Sequence, residues 1–188
     1  MKTLKPIVLF MIMSIAGYAN AADYIIDSEG AHASIDFKFK HLGYSWLTGS
    51  FRTFGGNFKW DKNKPEDSSI TVDINVISLD SNQAERDKHI RGAKYLNVEK
   101  YPTAKFVSTS VTPEKDGSLA IHGNLTLHGI TKEIVIDAKP VGEGKDPWGG
   151  YRAGFEGFVT LNTQDFGMPN FLPTNKVYMQ LNIEGIRQ

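Results

Sequence analysis

Apolar residues recur at every second position through most of the chain, a rhythm that predicts strands rather than helices. In Ser34-Ile-Asp-Phe-Lys-Phe-Lys-His41, Ile35, Phe37, Phe39 and His41 share one face, and Ser34, Asp36, Lys38 and Lys40 share the other. Leu47, Gly49 and Phe51 continue an apolar face beyond a glycine-containing turn at Leu42-Gly43-Tyr44-Ser45, and Gly55-Gly56 lets that strand bend before Phe58 and Trp60. Strands are thereby predicted over 31–41 and 46–60. The cleanest half-buried pattern follows, Ile70-Thr-Val-Asp-Ile-Asn-Val76. Further strands are expected over 104–111, 119–127, 133–139, 152–161 and 177–184, which makes eight. Asp116-Gly117 and His128-Gly129 read as tight turns, and Gly142 to Gly150 as a glycine-rich loop.

The rhythm breaks once. Residues 81–94 carry helix formers (Ala84, Glu85, Arg86, Lys88), few β-branched residues and Gly92 near the end, which predicts a short helix capped by Ser81 or Asn82. Its charges place it in solvent, with Ile90 and Leu96 as its apolar contacts.

Short connections between regularly spaced strands favour an up-and-down antiparallel sheet, and eight strands suffice to close one into a barrel wide enough for one ligand. The predicted fold is therefore all-β, an eight-stranded antiparallel barrel with one helical excursion; a two-sheet sandwich is the alternative. An outer-membrane barrel would turn its apolar side to lipid and need longer strands with aromatic girdles. An apolar inside fits this pattern better.

Ile35, Phe37, Phe39, Phe51, Phe58, Val72, Ile74, Phe106, Ile121, Leu125, Ile136, Phe155, Leu181 and Ile183 are assigned to the inward face. Alternation alone leaves open whether they fill a solid core or line a tunnel. His41 and Tyr44, at a strand end, and Arg152, after Trp148-Gly-Gly, are the polar candidates for a mouth; backbone hydrogen bonds and an ion pair are their structural alternatives.

The start of the chain reads as a leader: Lys2 and Lys5, an apolar run from Ile7 to Ile15 too short to span a bilayer, and Ala19-Asn20-Ala21 for cleavage. Residues 1–21 are thus expected to be a signal peptide and 22–188 the mature domain, exported to a periplasm without a stable membrane anchor. Without Lys2 and Lys5 the basic count falls from 21 to 19 against 21 acidic residues, which offers no overall attraction to nucleic acid. The absence of cysteine excludes disulfides, thiol redox chemistry and thiolate metal sites.

Other chemistry finds little footing. His122 and His128 lie six residues apart along a strand, roughly 20 Å at strand rise, too far to share a metal. Glu85, Asp87 and His89 read as a solvated helix face, and Asp27 and Glu29 as solvated acids. No Gly-x-Ser-x-Gly, phosphate loop or HExxH is present. Catalysis would require Asp165, Arg152, His41 and Tyr101 to converge. No catalytic residue, metal or cofactor is assigned.

Five stretches together resemble one family: His41-Leu-Gly-Tyr-Ser-Trp-Leu-Thr-Gly-Ser-Phe51, Glu85-Arg-Asp-Lys-His89, Tyr101-Pro-Thr-Ala-Lys-Phe106, Gly123-Asn-Leu-Thr-Leu-His-Gly-Ile-Thr-Lys132 and Asp146-Pro-Trp-Gly-Gly-Tyr-Arg-Ala-Gly-Phe155. They are similar, in order, to the YceI-like proteins, exported bacterial proteins with a lipocalin-like barrel described as binding polyisoprenoid lipids. The resemblance implies a bore holding a long isoprenoid tail, such as that of a quinone or polyprenyl phosphate, and a homodimer. It favours the tunnel over the solid core. Many relatives carry Arg before Asp-Phe-Gly, where this chain has Gln164. The competing function is a non-catalytic stress-response or interaction module with a filled core.

Overall fold

A computed structural model describes residues 21–170 and 175–188. The expected signal peptide lies outside the described residues apart from Ala21, as does the middle of the loop between 168 and 175. The strands are β1 (Ala22–Ile26), β2 (Ser34–His41), β3 (Ser45–Phe51), β4 (Phe54–Trp60), β5 (Ser69–Asn75), β6 (Leu79–Asp80), β7 (Thr103–Pro113), β8 (Leu119–Leu127), β9 (Ile130–Lys145), β10 (Tyr151–Asn162) and β11 (Lys176–Arg187). They form one antiparallel sheet in the order β1-β4-β5-β7-β8-β9-β10-β11-β2-β3-β6, and a second pairing, β1 with β11, closes it.

The closed barrel has eight positions, because two of them are shared. β1 runs against Gly185–Arg187 of β11, and β2 runs against Tyr178–Asn182 of the same strand. β1 and β2 are thus two halves of one position, separated by residues 27–33. β4 pairs with β1 while β3 pairs with β2, so these two make the second position. Closure satisfies backbone groups that an open sheet would leave at its edges.

Several boundaries differ from the expectation. β1 escapes the pattern because Ile25 faces solvent between the buried Tyr24 and Ile26, which hides the alternation. The bend expected at Gly55-Gly56 falls at Arg52-Thr53, whose amides donate to the Ser78 carbonyl and Oγ instead of continuing the ladder; both glycines stay in β4, opposite Asp73 and Val72. The expected glycine-rich loop is mostly strand. β9 continues to Lys145 by pairing with β10, and an extra residue, Val141, is accommodated between Pro140 and Gly142. Glycine weakens a strand but cannot prevent one when a paired neighbour supplies the ladder.

The helix α1 covers Ala84–Arg91, shorter than expected, and its cap is Gln83, whose side chain accepts from the Arg86 amide. Ser81 is not the cap. It is buried and donates both its backbone N–H, at 2.9 Å, and its Oγ–H to Asp87 Oδ1, while the Arg86 guanidinium donates to the Ser81 Oγ and carbonyl. Asp87 is therefore buried, against the expected solvated face, because it anchors the helix to the segment that leads into it. Among the described residues no helix is long and apolar enough to cross a membrane.

Candidate functional site: an apolar cavity along the barrel

Inward residues of every barrel strand except β1 surround a cavity with about 210 Å³ of room for atom centres. All fourteen positions assigned to the inward face lie on its wall. Trp60 and Ala138 join them towards one end, and Ile90, Tyr95, Leu96, Phe166 and Met168 towards the other. Pattern reading named Ile90 and Leu96 only as apolar contacts of the helix and missed Tyr95, Phe166 and Met168, which sit on a turn and on the segment after β10, where no strand rhythm marks them. Lys59, Ser68, Ser69, Tyr95 and Thr163 bring polar groups to the wall; among the described residues no carboxylate or imidazole lines it.

Glycines keep the middle open. Three phenylalanine rings lie over glycines of nearby strands: a Cβ built at Gly49 would come within 2.3 Å of Phe37, one at Gly123 within 2.4 Å of Phe106, and one at Gly185 within 2.4 Å of Phe58. With no side chain beneath them, the rings flatten against the wall instead of reaching the axis. Other aromatic contacts brace the lining: Tyr24 stacks on Phe58 at 4.8 Å, and Phe155 meets the rings of Phe58 and Trp60 edge-on at 5.6 and 4.9 Å. Trp60 donates its indole N–H to Glu143 at 2.8 Å, and Glu143 also takes Lys62 at 3.0 Å. Burial pushes that carboxyl up, but Lys62, Trp60 and Tyr151 together hold it below its ordinary value.

The three polar candidates do not share a mouth. Arg152 stands opposite Ile186 of β11, whereas Lys38 of β2 stands opposite Tyr178, so eight β11 residues, roughly 27 Å at strand rise, separate the two levels. His41 and Tyr44 lie farther still, exposed on the β2–β3 turn, and neither lines the cavity. The two ends of the barrel therefore carry different chemistry.

At its end Arg152 binds three acids: Nη1 donates to Asp27 and to Glu184, each at 2.6 Å, and Nε donates to Asp146 at 2.9 Å. Trp148 covers the guanidinium at 5.6 Å. Asp27, expected in solvent, is only 9% exposed and also accepts from the Gly30 amide, with His32 Nδ1 at 2.9 Å. Hydrogen bonds from Arg152 and then His32 hold its carboxyl down to about 2. Asp27, His32 and Glu184 also bring donor atoms within 4.8 Å of one another, as metal ligands would, but the Arg152 guanidinium already bridges the two carboxylates. This cluster ties β1, β10, β11 and the turn after β9 together.

The residues that catalysis would have required are dispersed. Tyr101 packs edge-on against His128 at 4.7 Å, His128 Nδ1 meets the Phe166 carbonyl at 2.9 Å, and Asp165 is exposed beyond β10 with Asn162 as partner. Gln164, at the position where an Arg was expected, is exposed; its backbone, not its side chain, holds the turn before Gly167.

Comparison with known proteins agrees with this geometry. The model of the YceI-like domain matches residues 24–185. This chain belongs to the YceI-like family. A UPF0312 protein of Azotobacter vinelandii is 52% identical over all of this chain and 98% of its own length, and one of Ectopseudomonas mendocina is 55% identical over 93% of this chain and 92% of its own. Among solved structures, BcnA of Burkholderia cenocepacia superposes with a TM-score of 0.76 at 19% identity, covering 85% of this chain and 98% of that one. The Campylobacter jejuni YceI protein gives 0.72 at 23% identity, covering 80% and 91%. A polyisoprenoid binding domain from Saccharophagus degradans, implicated in plant cell wall breakdown, gives 0.64 at 12%, covering 89% and 99%. These likenesses show that the YceI-like barrel is a fold shared across distant sequences.

Proposed function

We propose that this protein is exported to the periplasm, where it sequesters or carries a long-chain isoprenoid lipid, a quinone or a polyprenyl phosphate, with the tail in the barrel cavity. The observation that carries this reading is a continuous apolar wall around unfilled space. A filled-core interaction module has no use for such a space. The polyisoprenoid binding described for the Saccharophagus degradans domain supports the same ligand class.

The energetics suit a tail. Each methylene-sized group leaving water contributes roughly 0.8 kcal/mol, so ten enclosed carbons gain about 8 kcal/mol before ordering costs. Recognition of this kind reads length and girth; it discriminates weakly between head groups. A homodimer belongs to the proposal as well, and the particle mass on light scattering reads it out. The central test is mass spectrometry of organic extracts from protein purified out of its native host. A stoichiometric prenyl lipid is expected; lipid-free preparations that also refuse added quinone refute the reading.

A further inference from the structure

The β2–β3 hairpin holds three large apolar side chains in water: Leu42 and Tyr44 on its turn are 64% and 87% exposed, and Trp46 at the start of β3 is 46% exposed. Leu42 has φ 51°, a left-handed conformation that favours Gly, Asn or Asp in such turns. A leucine there carries the backbone cost while most of its side chain stays in solvent. Its presence calls for something outside.

The same hairpin carries positive charge. Lys38 and Lys40 point outward from β2, with their ammonium groups 5.2 and 5.6 Å from the centre of the Trp46 ring, and neither forms an ion pair among the described residues. Tyr178 braces the indole edge-on at 5.4 Å. Formal net charge is zero over the whole sequence, so this is a local feature that composition conceals. Aromatic rings and a leucine beside unpaired lysines match the chemistry of a lipid–water interface, where apolar groups enter the headgroup region and cations meet phosphates.

We infer that the β2–β3 hairpin docks this protein onto the surface of an anionic phospholipid bilayer, with Leu42, Tyr44 and the edge of Trp46 entering the interface and Lys38 and Lys40 contacting phosphates. Phe37 and Phe39, on the inward side of the same strand, line the cavity, so docking sets that end of the barrel against the membrane. That this contact serves loading or release of an isoprenoid rests on the proposed function; the docking itself does not.

The test is flotation of the mature chain with phosphatidylcholine vesicles, with and without phosphatidylglycerol, read also by quenching of tryptophan fluorescence with brominated acyl chains. Wild-type protein floats with the anionic vesicles. Leu42→Asn combined with Tyr44→Ser lowers partitioning at least tenfold, with a residue suited to the left-handed turn at position 42. Lys38→Gln with Lys40→Gln lowers it about thirtyfold and abolishes the preference for anionic lipid. Tyr44→Ser alone, at a solvent-exposed position, carries the test if the double variant unfolds. Wild-type protein that does not float with anionic vesicles, or turn variants that float as well as it does, overturn the proposal. Quinone binding in detergent micelles, measured on the same proteins, separates the two claims: binding without flotation removes the docking alone, and flotation without binding removes the carrier reading alone.

Discussion

Filling the cavity from its own wall tests the carrier reading most directly, and Gly157 is the place to do it. It lies on the cavity wall within β10, where a Cβ would stand 3.2 Å from Ile136 Cγ2 and 3.6 Å from Leu181 Cβ, contacts that small side-chain shifts absorb. In Gly157→Leu the side chain brings four carbons into space a tail would otherwise occupy. Four displaced methylene-sized groups at roughly 0.8 kcal/mol each remove about 3 kcal/mol of binding, close to 200-fold in affinity. The fold should survive, because burying a leucine contributes about 1.5–3 kcal/mol while overpacking costs about 1–3 kcal/mol. Trp60 also lines the cavity, so a quinone there quenches its fluorescence, and titration of detergent-dispersed quinone gives the affinity. Phe158→Leu, on the outward side of the same strand, is the control and should stay within about twofold. A folded Gly157→Leu protein that binds quinone as tightly as wild type would show that no tail passes β10.

The acid cluster predicts a pH dependence. Asp27 is held at about 2 against an ordinary 3.8, so its contribution to folding is fully present above about pH 4 and lost as the pH falls towards 2. After screening by the solvent that reaches its partners Arg152 and Glu184, the contribution is roughly 1–2 kcal/mol. Urea midpoints should fall less steeply across that window in Asp27→Asn than in wild type, and parallel slopes would count against the assignment. Gly123→Ala should destabilise by roughly 1–3 kcal/mol in urea unfolding and weaken quinone binding. Its Cβ would meet Phe106 Cζ at 2.4 Å and the Val107 carbonyl at 2.6 Å, driving the ring into the lumen. Unchanged stability would mean the rings do not need glycine beneath them.

Period-two alternation is a local property of extended backbone, so the sequence by itself determined which side chains face inward and how many strands close the barrel. The fourteen wall positions were legible for that reason. Ile25 shows the limit: an apolar residue on the outer face erased the signal of β1. What only the tertiary structure decided depends on partners far apart in the chain. Arg152 and Asp27 lie 125 residues apart, and no local rule distinguishes a solvated Asp27 from one held by a guanidinium. Whether the centre is hollow turns on cross-strand placement, since Phe106 turns aside only because register and diagonal reach set Gly123 beneath it. The concentration of Lys38, Lys40 and Trp46 at one tip is likewise invisible in a neutral composition, because summed charge discards position.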